Sequence, residues 1–152
     1  MRNRLTVIIP FLNEGEEIAN TLQNLRETSN EHLPILLIDD ASTDNYDYEQ
    51  VANLYSAQYV RHKKRIGVAA SRDEGINIIG TEYFVLLDGH MRFNQWGWDK
   101  ILLYHLLSEP KVVWCARTRA ITKKENGQIF WDDGAKAFGA YMKLWKGSWN
   151  LG

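Results

Sequence analysis

The chain has 152 residues, long enough for one domain with a sizeable core. Its 18 Lys and Arg nearly balance 19 Asp and Glu, a formal net charge of −1, which gives no electrostatic reason to expect a nucleic-acid partner. A single cysteine, Cys115, excludes an internal disulfide, and its apolar neighbours predict a buried, inert thiol.

The N-terminus, Met1-Arg2-Asn3-Arg4, is basic, but the apolar run behind it ends at Leu12 and is broken by Pro10. That is too short for a signal peptide or a membrane span, so the expectation is a soluble, cytoplasmic chain. Leu5 to Ile9 is the first predicted strand, with Pro10 at its end because proline has no N–H to give a ladder. Asn13 is the expected N-cap of the next helix, and Glu14, Glu16 and Glu17 suit the positive end of its dipole. Ile18, Leu22 and Leu25 give that helix one apolar face. Ile35 to Ile38 repeats the strand design and runs into Asp39-Asp40. A turn at Ala41 to Asp44 leads to a helix from about Tyr48 to Tyr55, then a short strand, Gln58 to Arg61. The basic run Arg61-His62-Lys63-Lys64-Arg65 passes through Gly67 into a helix ending at Ile79, with Gly80 expected as its C′ cap.

Tyr83 to Leu87 is a continuous apolar run without helical alternation, which predicts a strand buried on both faces of a parallel sheet. It stops abruptly at Asp88-Gly89-His90. Gly89 is expected to leave room for a ligand and to permit unusual backbone angles. A carboxylate and an imidazole two residues apart can chelate one divalent metal, and Mn²⁺ accepts both oxygen and nitrogen ligands. Further on come a helix from Trp98 to Leu107, a strand from Lys111 to Ala116, and an Asn126-Gly127 hairpin turn. All six Trp follow Arg92, and the aromatic, glycine-rich tail from Trp131 to Gly152 is expected to be core, a binding wall, or a surface for a second copy of the chain.

Alternating strands and helices through Ala116 predict an α/β fold, a doubly wound and mostly parallel sheet with helices on both faces. Right-handed crossovers then bring three strand ends, Pro10 to Glu14, Asp39-Asp40 and Asp88 to His90, to one edge as a ligand crevice. No dinucleotide fingerprint, P-loop, zinc spacing or nucleophile elbow occurs. A phospho-receiver domain would close its first strand with the acid pair, whereas here the pair closes the second.

Val7-Ile8-Ile9-Pro10-Phe11-Leu12-Asn13-Glu14, Leu37 to Asp44, Gly67 to Gly75 and Leu86 to His90 resemble, in order and spacing, the successive motifs of the GT-A-fold glycosyltransferases of family 2. Asp88-Gly89-His90, and Arg65-Ile66-Gly67-Val68, are similar to the Asp-x-His and Arg-Glu-Gly-Leu motifs of the polypeptide N-acetylgalactosaminyltransferases. The resemblance implies a GT-A, Rossmann-like domain over residues 1–152: a nucleotide-binding core over about 1–117, then the start of an acceptor-side region over 118–152. It implies transfer of a sugar from a nucleoside-diphosphate sugar, expected to be a UDP-sugar, to a saccharide, lipid or protein acceptor. The alternative is a non-catalytic nucleotide-sugar-binding module or an inactive fragment. By the same resemblance, Pro10, Phe11 and Glu14 lie against the base and ribose, Asp40 binds the uracil and Arg65 contacts the donor nucleotide. Asp88 and His90 hold Mn²⁺ (or Mg²⁺), with Asp88 also near the ribose. Arg72 is read as pairing with Asp73 or Glu74, or reaching phosphate. Trp98 is read as packing its helix on the sheet, while Trp96 either stays outside the site or lines the sugar. For His32, His62 and His105 the sequence names no particular partner. The family continues beyond the position of Gly152, and no general base is identified; Asp132 and Asp133 lie too early for that role. The expectation is a chain truncated at its C-terminus, with the stereochemistry left open.

Overall fold

The structure is a computed structural model. It describes residues 4–30, 32–109 and 111–116 with their side chains, and only the backbone of 118–123, 129–137, 142–145 and 148–151. The chain divides into two compact units, Met1–Pro110 and Lys111–Gly152.

In the first unit, strands β1 (Leu5–Phe11), β2 (Ile35–Asp39), β3 (Gln58–Arg61) and β4 (Tyr83–Leu86) form one sheet in the order β3-β2-β1-β4. Every neighbouring pair is parallel. Helices α1 (Glu16–Thr28), α2 (Tyr48–Leu54), α3 (Val68–Ile78) and α4 (Trp98–Ser108) make the connections and close the unit. The period-two alternation of β1 and β2 divides the core. Leu5, Val7, Ile9, Ile35 and Leu37 pack with residues of α1, α2 and α4, while Ile8, Leu36 and Ile38 pack on the other face. That second face is covered by α3 at Gly75, where a Cβ would come 2.6 Å from Ile8 Cγ2 and 2.8 Å from Ile38 Cδ1. The sheet is therefore doubly wound, with helices on both faces, as the alternating pattern predicts.

Pro10 sits where its missing N–H costs nothing. The Ile8 carbonyl accepts from Leu87 N, so even-numbered backbone groups of β1 point toward β4. The pairing of β4 stops opposite Ile8, two residues before Pro10. This gap lies where the strand order reverses, between β1 and β4, which is where open α/β sheets hold ligands.

Several local expectations are corrected. Strand β4 is at the edge of the described sheet rather than buried on both faces, and Phe84 and Leu86 are each 39% exposed. They share a face with Thr6 and Ile8, where α3 covers β1 and β2. Asn13 does not cap α1, whose N-cap is Gly15; its Oδ1 instead accepts from Thr43 N at 2.6 Å, tying two loops together. Helix α3 ends in extended Ile79, and Gly80 is not left-handed, so no C′ glycine motif forms. Residues 111–116 form no strand, and Cys115 is exposed. An apolar run becomes a strand only when a ladder takes up its N–H and C=O groups, and none does so here among the described residues.

In the second unit, β5 (Thr118–Lys123) pairs antiparallel with β6 (Ile129–Ala137), and β7 (Met142–Trp145) with β8 (Ser148–Leu151). The first pair is the expected hairpin, although the Asn126-Gly127 turn lies outside the described residues. Asp132 and Asp133 fall in β6, their side chains likewise outside the described residues. Among the described residues, no helix is long and apolar enough to cross a membrane.

Candidate functional site

The carboxyl end of β2 carries two acids that serve opposite faces. Asp39 continues the parity of Ile35 and Leu37 and is fully buried. Its Oδ1 accepts from Ser42 N at 2.7 Å, and its Oδ2 accepts from Tyr59 Oη at 2.8 Å and Arg61 Nη1 at 3.0 Å. Burial and the hydrogen bond to Asp39 push the Tyr59 hydroxyl up to about 12, so it remains a donor. Asp39 is thus wholly engaged in holding β2, β3 and the turn after β2.

Asp40 points the other way. Its Oδ1 accepts from Ile66 N at 2.8 Å and meets His62 Nδ1 at 2.9 Å, and its Oδ2 accepts from Gly67 N at 2.8 Å. Burial works against its charge, but the two backbone N–H donors and His62 outweigh that and hold its carboxyl below the usual 3.8. Gly67, at φ +93°, supplies the left-handed turn that aims these N–H groups and starts α3. His62 has partners that the sequence did not reveal. Its Nε2 lies 2.8 Å from Glu74 Oε2 on α3, and its side chain is only 9% exposed. Burial opposes its charge, yet the hydrogen bonds to Asp40 and Glu74 prevail and raise its pKa above 6.5. The signal was parity: on β3, Tyr59 and Arg61 face Asp39, so His62 falls to Asp40.

The carboxyl end of β4 is looser. Asp88 and His90 have side chains 55% and 56% exposed. Arg72 Nη2 donates to Asp88 Oδ1 at 3.0 Å, so Arg72 pairs with neither of its helical neighbours. Its Nε is buried without a hydrogen-bond partner among the described residues. His90 Nδ1 lies 3.0 Å from Glu14 Oε2. Gly89 is required by crowding rather than by its backbone angles: a Cβ would come 2.9 Å from Ile18 Cδ1 and 3.0 Å from Glu14 Cγ, and its φ is not left-handed. Its carbonyl accepts from Thr21 Oγ1 at 2.7 Å, fixing the strand end to α1.

One cleft of about 210 Å³ joins these ends. Pro10, Phe11 and Glu14 line it from the end of β1, Asp40 from β2 and Arg65 from the loop before α3. Asp88 and His90 line it from β4. The side chain of Phe11 turns into the core against Tyr48, at 4.6 Å between ring centres, so it presents little to the cleft. The Arg65 side chain is 72% exposed, with Nε 4.0 Å from Asp40 Oδ2, and is held by little else. Trp96 is exposed and does not line this cleft, while Trp98 is buried and stacks on Phe93 at 3.9 Å. A larger cleft, about 310 Å³, lies at the opposite end of the sheet. It is lined mainly by apolar side chains, Leu103, Tyr104 and Leu107 of α4 among them, with Arg4, Asp99 and Lys100.

Asp88 and His90 offer the donor types that a divalent metal takes. One carboxylate and one imidazole share the cleft, the donor types suit Mn²⁺, and His90 Nε2 has no hydrogen bond among the described residues. No group of three or more His, Cys, Asp or Glu with metal-binding geometry occurs among the described residues, so water and ligand oxygens would complete the shell.

Comparison with known proteins bears on the family and the fold. The model of the family described as glycosyl transferase family 2 matches residues 6–146. Human polypeptide N-acetylgalactosaminyltransferase 14 is 29% identical over 113 residues, covering 72% of this chain and 20% of the relative. The mannosyltransferase PcManGT from Pyrobaculum calidifontis, solved with GDP-Man and Mn²⁺, superimposes with a TM-score of 0.65 at 23% identity, covering 78% of this chain and 36% of that one. GalNAc-T7, solved with UDP, GalNAc and Mn²⁺, gives 0.60 at 22% identity, covering 67% and 20%. These two solved structures share the GT-A fold with the first unit. The chain spans about a quarter or less of the length of the first curated relatives it matches.

Proposed function

Because the chain belongs to glycosyl transferase family 2, we propose that its first unit binds a UDP-sugar with a divalent metal and serves transfer of the sugar to an acceptor. The observation that carries this reading is the single cleft at the β1/β4 switch point, lined by residues from four separate segments of the chain. Support for uracil comes from Asp40. Three donors occupy three of its acceptor positions, and the remaining lone pair of Oδ2 can accept from a ring N3–H. Arg65, exposed at the rim, can swing to a phosphate with only a 4.0 Å ion pair to give up. Pro10 offers a flat, donor-free wall at a position where the strand needs no N–H.

Asp88 and His90 are the residues that would hold the metal, whose chemistry would be to offset charge on the diphosphate as the sugar leaves. The protein's own part is to orient these donors on a strand end that Gly89 and Thr21 fix to α1. The reading extends to an acceptor of unassigned class and to the cytoplasm as its compartment.

Titration of the 152-residue chain with UDP and GDP, each with and without Mn²⁺, tests the proposal. UDP is expected to bind more tightly than GDP, and more tightly with Mn²⁺ than without. Equal binding of both nucleotides removes the Asp40 assignment, and indifference to Mn²⁺ removes the metal.

A further inference from the structure

We propose that Glu14 is the positioning residue for metal binding by His90: it fixes the imidazole so that Nε2 faces the metal. This role rests on the metal reading above and deepens it. Glu14 lies in the loop after β1 and His90 in the loop after β4, far apart in sequence but joined by a 3.0 Å contact between Oε2 and Nδ1. A carboxylate only accepts, so Nδ1 is the donor in this contact and Nε2 is the nitrogen left for a metal. Metal-binding imidazoles commonly hand their second N–H to a carboxylate in this way, which sets both tautomer and ring direction.

The local packing is built for that reach. The stem of Glu14 passes so close to Gly89 that a Cβ there would come within 3.0 Å of its Cγ. Only glycine between the two metal donors lets the carboxylate cross to the imidazole. Glu14 is also the better sheltered partner, at 25% side-chain exposure against 56% for His90, so the loop after β1 is the fixed side of the contact. The same loop is held by Gly15 N donating to Tyr48 Oη at 2.7 Å and by Asn13 N donating to Ser42 Oγ at 2.9 Å. Position is thus transmitted from β2 and α2 through Glu14 to a side chain on β4.

The test uses Mn²⁺ and UDP with the whole chain. In the unsubstituted protein, electron spin-echo spectra of bound Mn²⁺ should show coupling to an imidazole nitrogen. Glu14→Ala should weaken Mn²⁺ binding about tenfold, the lower end for an outer partner of a metal ligand, and reduce that coupling. Glu14→Gln, which keeps the stem against Gly89 and one acceptor, should recover part of the loss. In both variants the loss of Mn²⁺ binding should exceed any loss of metal-free UDP binding, because Glu14 also lines the cleft. Unchanged Mn²⁺ affinity and coupling in Glu14→Ala overturn the role. A loss of metal-free UDP binding as large as the loss of Mn²⁺ binding overturns it too, by assigning Glu14 to the nucleotide alone. Absence of nitrogen coupling in the unsubstituted protein overturns the metal reading, and this role with it.

Discussion

The two strand ends that flank the tip of β1 are built in opposite ways. At the end of β2, Asp40 and His62 are sheltered, and both ring nitrogens and both carboxylate oxygens are engaged. At the end of β4, Asp88 and His90 are more than half exposed, and each is held by a single side-chain hydrogen bond among the described residues. A group whose partners are already in place binds a ligand without reorganising, and a group held by one weak contact can exchange that contact for a ligand. On this reading the nucleotide end is preorganised and the metal end is exchangeable.

The largest expected effect is at the closed end. Asp40→Ala removes a buried carboxylate and leaves the N–H groups of Ile66 and Gly67 and Nδ1 of His62 without their acceptor in a part-buried place. That should cost about 3 kcal/mol of folding stability, whereas Asp88→Ala, at an exposed site, should cost no more than about 1 kcal/mol. Urea unfolding of both variants measures the difference. Similar losses at the two positions would mean that the ends are not different in kind.

A smaller effect follows from pH. Folded His62 keeps its proton to higher pH than the ordinary 6.5. Its contribution to stability is therefore complete below about 6.5 and fades as pH rises through the raised value. Folded Asp40 has the opposite sign: its contribution is present above 3.8 and fades as pH falls through its depressed value. The network should be strongest between those limits. Urea midpoints across pH should show a decline on the alkaline side that His62→Gln flattens, with the acid side weakened but kept by the Ile66 and Gly67 N–H donors. An alkaline decline that survives the substitution would assign it to another group.

What could be read from the sequence follows the same division. The sheet was legible because Ile8, Leu36 and their neighbours are apolar runs of strand length, and runs carry their own signal. Which of Asp39 and Asp40 faces the cleft was stated on resemblance alone, although parity with Leu37 and Ile38 decides it physically. His62 was missed because its two partners lie on a different strand end and a different helix, joined only once the β3 register is set. The open edge of β4 and the irregular 111–116 segment were misjudged for the reverse reason. Apolar content predicts that a strand wants burial, but only the number of strands and the length of α3 decide whether it gets it.

The smallest expected effect concerns what holds the open end before a metal arrives. Arg72 donates to Asp88 at 3.0 Å, with both side chains substantially exposed, so the pair contributes about 0–1 kcal/mol. A metal binding Asp88 must displace or share that contact. Arg72→Met keeps the apolar stem and removes both the competing charge and the buried Nε that lacks a partner. Mn²⁺ affinity without nucleotide should then rise by up to about fivefold, the equivalent of that 1 kcal/mol, with little change in unfolding midpoint. A fall in affinity would carry a different lesson. It would mean that Arg72 steers Asp88 toward the metal as Glu14 is proposed to steer His90, and that the exposed end of β4 is as preorganised as the buried end of β2.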